Sequence, residues 1–110
     1  MQQWSIYLFP FESEKPHPVI IVSNDELCNN RDFPSVNGLL CTTVREGRAP
    51  KKREVFLDET DGLEWKTAAR CDFIYALPKN EFKERRGIVS LARRKQISKK
   101  IAECFRLHVF

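Results

Sequence analysis

Glycine is scarce and scattered in this sequence. Only four occur in 110 residues, singly at 38, 47, 62 and 87, so no glycine-rich loop exists to cradle a nucleotide's phosphates. No serine sits in a G-x-S-x-G elbow, which argues against an α/β-hydrolase. The two histidines, His17 and His108, lie at opposite ends and form no local motif. Cys28, Cys41, Cys71 and Cys104 are widely spaced with no C-x-x-C pair. Zinc ligands come in close pairs because four must converge on one ion, so these cysteines read as free thiols and no metal or other cofactor is expected. No apolar run approaches the roughly 20 residues that cross a bilayer. The first residues, Met1 to Trp4, lack the basic-then-apolar pattern of a secretory signal. The expectation is a cytoplasmic protein without a membrane segment.

What is present is the composition of a folded domain: 42% hydrophobic and 31% charged residues. The length leaves room for one domain over residues 1–110, with a modest core. Charge is uneven. Residues 1–44 hold two Lys/Arg against five Asp/Glu, residues 45–78 hold seven of each, and residues 79–110 hold ten against three. A tail with a balance of +7 suits a nucleic-acid backbone or an acidic protein. A solvated helix face would look the same, so charge alone decides nothing.

Periodicity organises the chain. Alternation around Trp4, Ile6 and Leu8 predicts a strand over 3–9, followed by a polar, proline-bounded loop over 10–16. The β-branched run from His17 to Ser23 predicts a second strand, with Pro18 at its start or at an edge because proline cannot donate to the ladder. A polar loop follows, then a third strand from Val36 to Val44. Arg45 to Lys52 is a basic loop, Glu54 to Leu57 a short fourth strand, Asp61-Gly62 a turn, and Ala69 to Leu77 a fifth strand. Residues 78–84, opened by Pro78, have the look of one or two helical turns. Ile97, Ile101, Cys104 and Phe105 then recur at helical spacing, predicting an amphipathic helix over 91–107 with Ser90 as N-cap.

The pieces and their order resemble the MazF/PemK toxins. His17-Pro-Val-Ile-Ile-Val-Ser-Asn-Asp25 is similar to that family's second strand, which opens on arginine-proline and closes on Ser/Gln-Asn-Asp. Leu39-Leu-Cys-Thr-Thr43 is similar to its third strand. Asp61-Gly-Leu63 followed by Cys71-Asp-Phe-Ile74 resembles its acidic-x-Ile segment, and Leu77-Pro-Lys79, Gly87-Ile-Val89 and the closing helix complete the series. The resemblance implies a mainly β (α+β) fold, a small twisted antiparallel sheet like an SH3 barrel with a C-terminal amphipathic helix, assembled as a homodimer. It also implies a toxin that cleaves single-stranded RNA sequence-specifically without a metal, leaving a cyclic phosphate and a 5′-hydroxyl, and that a small acidic antitoxin neutralises.

Such cleavage requires that the ribose 2′-hydroxyl lose a proton, that the phosphorane meet hydrogen-bond donors, and that the leaving 5′-oxygen gain a proton. The family meets these needs with an arginine before the strand-2 proline and a threonine ending strand 3. Carried over, the catalytic positions are His17 and Thr42. Thr42 keeps the family residue. His17 replaces a permanently charged fork with an imidazole, a poorer phosphate clamp but a better proton acceptor. The RNA-contacting candidates are Thr43, Arg45, Arg48, Lys51, Lys52 and Asp72. Phe73, which follows Asp72 where relatives carry glutamine, is expected in the core, with base stacking as its other reading. Two further classes fit the same residues: a non-enzymatic gyrase-binding toxin of the CcdB kind, and a degenerate nucleic-acid-binding module.

Overall fold

In the computed structural model of the protein, residues 1–12 and 15–107 are described. The loop expected over 10–16 therefore includes Ser13 and Glu14, which lie outside the described residues. Seven strands form one curled antiparallel sheet. They are β1 (Ser5–Phe9), β2 (His17–Ile21), β3 (Ser35–Thr43), β4 (Glu54–Leu57), β5 (Thr67–Arg70), β6 (Tyr75–Pro78) and β7 (Arg85–Ile88). The order is β4-β5-β3-β2-β1-β7, and β6 pairs with β3. Two helices complete the chain, α1 (Asp25–Asn29) and α2 (Leu91–Phe105), and single 3-10 turns occupy Glu59–Asp61 and Lys79–Glu81.

The two faces of β3 divide the interior. Leu39 and Cys41 point into the main core with Ile6, Ile20, Val55 and Leu57, and α2 closes this side with Ile97 and Ile101. Burying a side chain such as Ile97 contributes about 1.5–3 kcal/mol, which is how the helix is held to the sheet. On the other face, Val36 packs with Ile21 and Cys28, while Val19 packs with Phe9 and Leu77. Gly38 lies on this second face, where an added Cβ would collide with Val19 Cγ1.

Several elements differ from expectation. The fifth strand is two. β5 pairs with β3 through Cys41–Ala69 to Thr43–Thr67, whereas β6 pairs through Ser35–Pro78 to Gly38–Tyr75. The register against β3 slips by three residues between them, so the chain bulges outward where Asp72, Phe73 and Ile74 lie. The stretch after β2 is no simple loop: the Asn24 side chain accepts from the Leu27 N–H and starts α1. β7 had no alternating pattern to announce it and is recruited by pairing with β1.

The start of α2 is also fixed differently. Ser90 holds the N-cap position, but its hydroxyl makes no capping bond. Its N–H instead donates to Asp61 Oδ1 at 2.9 Å. Asp61 is fully buried, accepts the Asp58 N–H through Oδ2 at 3.1 Å, and meets Arg93 Nε at 3.3 Å. The 3-10 turn and α2 are thus tied through one carboxylate. Gly62 ends that turn in the left-handed region at φ 81°, as the expected Asp61-Gly62 turn requires. The helix stops at Phe105 rather than 107, because Arg106 turns left-handed and the Leu107 N–H returns to the Ala102 carbonyl.

Candidate nucleic-acid-cleaving site

β2 and β3 pair from Ile21–Gly38 to Val19–Leu40, and there the ladder stops. The cause is Pro18. Leu8 turns its N–H and C=O toward residues 84 and 83, so it cannot bond to Pro18, its register partner on β2. The edge of Pro18 that lacks an N–H therefore faces β3. That register, carried two residues further, would bring His17 level with Thr42, although the two are not paired. Residues opposite one another share a face, so both belong to the face away from α2. His17 is half-buried, and its ring meets Phe11 edge-on at 6.1 Å.

On its other side Thr42 pairs with Ala68, which makes Arg70 its diagonal neighbour on the same face. Thr42, Lys51, Lys52, Arg53, Glu54, Arg70 and Asp72 line one open groove of about 510 Å³. Four cations face two carboxylates there, so the groove attracts anions. Neither carboxylate is free. Glu54 receives Arg48 Nη1 at 2.7 Å and the Lys51 N–H at 2.9 Å, and the Arg48 contact foremost holds its carboxyl below the usual range. Asp72 receives Arg70 Nε and Nη2 at 3.2 and 3.1 Å, and this grip is the chief cause of its own lowered pKa.

The expected residues therefore divide. Thr42, Lys51, Lys52 and Asp72 come together in the groove. Arg48 does not line it: its guanidinium is paired with Glu54 and lies over the Phe56 ring at 5.3 Å, anchoring the basic loop. Arg45 and Thr43 are exposed outside the groove lining, and Thr43 is placed opposite Thr67. Arg53 and Arg70 went unremarked as site residues. The Arg70-x-Asp72 spacing inside an apolar run was the signal, since an unpaired charge there would be costly.

Phe73 corrects the expectation of a core residue. The bulge leaves it 50% exposed, with its ring 4.6 Å from that of Tyr75. Tyr75 meets Phe11, and Phe11 meets His17. An aromatic row thus runs from the imidazole to the residue beside Asp72. By contrast Cys41 and Cys71 are buried in the core, as the free-thiol reading expected; burial pushes the Cys41 thiol well up and that of Cys71 up to about 12. Among the described residues no group of three or more His, Cys, Asp or Glu is placed to hold a metal, and no helix is long and apolar enough to cross a membrane.

Together these features describe a small β-rich protein, a curled antiparallel sheet crossed by one C-terminal helix, with a cationic groove around a strand-end hydroxyl. Residues 2–105 match the PemK-like, MazF-like toxins of type II toxin-antitoxin systems, and the chain belongs to that family. Solved structures agree with the fold. An endoribonuclease in complex with its cognate antitoxin from a mycobacterial species superposes with a TM-score of 0.80 at 24% identity, over 100% of this chain and 99% of that one. The Mycobacterium tuberculosis toxin MazF-mt6 gives 0.79 at 20% identity over 96% and 99%. A MazE-MazF structure from Deinococcus radiodurans gives 0.74 at 13% identity over 98% and 97%. No curated protein sequence matches this one.

Proposed function

We propose that this toxin is an endoribonuclease of the cytoplasm that cleaves single-stranded RNA sequence-specifically without a metal. The observation that carries the reading is the setting of Thr42, a strand-end hydroxyl in a groove with four cations. In the proposed reaction His17 takes the 2′-hydroxyl proton and the 2′-oxygen bonds to phosphorus. The bond from phosphorus to the 5′-oxygen breaks, and that oxygen takes a proton from water. Thr42 donates to a phosphoryl oxygen as charge builds there. Lys51 and Lys52, exposed at the rim, track the flanking phosphates. Digestion of a mixed-sequence RNA by the purified protein, with the ends mapped, tests this. Discrete cleavage leaving cyclic phosphate and 5′-hydroxyl ends supports it, and RNA left intact refutes it. A gyrase-binding toxin would have no need of a cationic groove centred on a hydroxyl.

The exposed Phe73, next in sequence to Asp72, would stack on a base of the bound RNA in this reading. Phe73→Ala should weaken binding of a cleavable-site oligonucleotide by roughly 5- to 150-fold, since one base stack is worth about 1–3 kcal/mol. Fluorescence anisotropy with a 2′-deoxy analogue reads this directly, and an unchanged Kd would remove Phe73 from the site.

The antitoxin in this reading is an acidic peptide. Lys52 and Arg53 line both the Thr42 groove and a second cleft of about 160 Å³ with Lys100 and Arg106. A basic surface therefore continues from the groove to the end of α2, and a peptide following it would cover the groove. A homodimer is part of the same proposal: the core is small, and Leu91, Phe105 and Leu107 are exposed along and just beyond α2.

A further inference from the structure

Arg70 ends β5 with its side chain about half exposed, yet its direction is fixed. Asp72 grips it side-on, Oδ1 on Nε and Oδ2 on Nη2, and Arg53 Nη1 stands 3.9 Å behind on the same carboxylate. A guanidinium has five N–H groups, and this grip uses two. Three remain at the far end, in the geometry that meets two oxygens of a phosphate. The outward bulge after β5 is what brings the carboxylate beside its neighbour two residues earlier. Arg70 also lines the Thr42 groove as the diagonal neighbour of Thr42, and such neighbours are within reach of a long side chain.

An exposed surface ion pair is ordinarily worth little to stability. This one does something else: it removes rotamer freedom that a phosphate would otherwise have to remove on binding. We infer that Arg70 is a catalytic residue that donates to the non-bridging oxygens of the scissile phosphate, with Asp72 as the residue that positions it. The inference rests on the RNA-cleavage reading above. It divides the labour across β3. His17 on one flank moves the proton, Thr42 donates in the middle, and Arg70 on the other flank supplies the permanent positive charge that an imidazole lacks. Asp72 then acts on the substrate through Arg70, which both its oxygens hold. Arg70 neither gains nor loses a proton in the step.

The test compares wild type, Arg70→Ala, Arg70→Lys, Arg70→Gln and Asp72→Ala in steady-state cleavage of a short RNA. Binding of the matching 2′-deoxy oligonucleotide and thermal unfolding are measured on each. Loss of a transition-state donor should lower kcat by about 10²–10³-fold in Arg70→Ala and Arg70→Gln, with Kd for the deoxy analogue changing far less. Arg70→Lys should recover only part of kcat, because an ammonium keeps the charge and loses the fork. Asp72→Ala should lower kcat less than Arg70→Ala does, and the double variant should be no worse than Arg70→Ala alone. If wild type cleaves and folded Arg70→Gln has native kcat, Arg70 has no catalytic role. A loss confined to Kd would overturn the assignment equally, reducing Arg70 to a backbone contact. A wild type that leaves RNA intact would overturn the cleavage reading itself and this inference with it.

Discussion

His17→Ala should cleave RNA roughly 10²–10⁴-fold more slowly than the native protein, the usual contribution of a positioned acid–base group. His17→Arg separates the two tasks the position could perform. Guanidinium keeps a positive charge but cannot accept a proton, so this variant should lose cleavage as His17→Ala does if proton transfer is the task, and keep it if charge is. Thr42→Ala should lower the rate as well, because a hydroxyl donor to the phosphoryl oxygen is lost. The geometric basis is the register of β2 and β3, whose continuation beyond the last paired residues, Val19 and Leu40, would bring the two residues level on one face. Native rates in His17→Ala would show that the 2′-hydroxyl loses its proton elsewhere.

The parts of this fold that could be read from the sequence are those whose side chains alternate or repeat. β1, β4 and α2 were legible because Ile6, Val55, Leu57 and Ile97 fall at the periods that a one-sided core imposes. β7 was not, since Arg85-Arg86-Gly87-Ile88 shows no such alternation and becomes a strand through its partner β1. The split between β5 and β6 was hidden because residues 69–77 contain no glycine or proline to mark a break. The bulge is a matter of register, which only the pairing with β3 reveals. The same limit governed the site. Thr42 and Asp72 could be proposed from their positions in a series of segments, but which cations would join them depends on where a loop folds back. Arg48 turned to Glu54, while Arg70 stayed in the groove.

Asp61→Ala should be the most destabilising single substitution outside the apolar core, costing about 3–5 kcal/mol. The native carboxylate is fully buried and does three jobs at once: it accepts the N–H groups of Asp58 and Ser90 and faces the Arg93 guanidinium. Alanine would leave two backbone donors without these acceptors and strip Arg93 of its most buried partner, leaving the half-buried Asp58 at 3.2 Å. The loss spreads because Asp61 joins three elements. Its backbone carbonyl also lies so close to Gly87 that a Cβ there would collide with it, so β7 packs directly on the turn that Asp61 ends. Loosening that turn therefore loosens the entry to α2 and the edge strand together. For a domain of this size the loss corresponds to a fall in Tm of roughly 15 °C or more. Asp61→Asn should sit between the two, because an amide oxygen can still accept one N–H but brings no charge to Arg93. Denaturant unfolding followed by circular dichroism measures both variants, and a change under about 1 kcal/mol in Asp61→Ala would mean that water or Asp58 replaces what the carboxylate supplies.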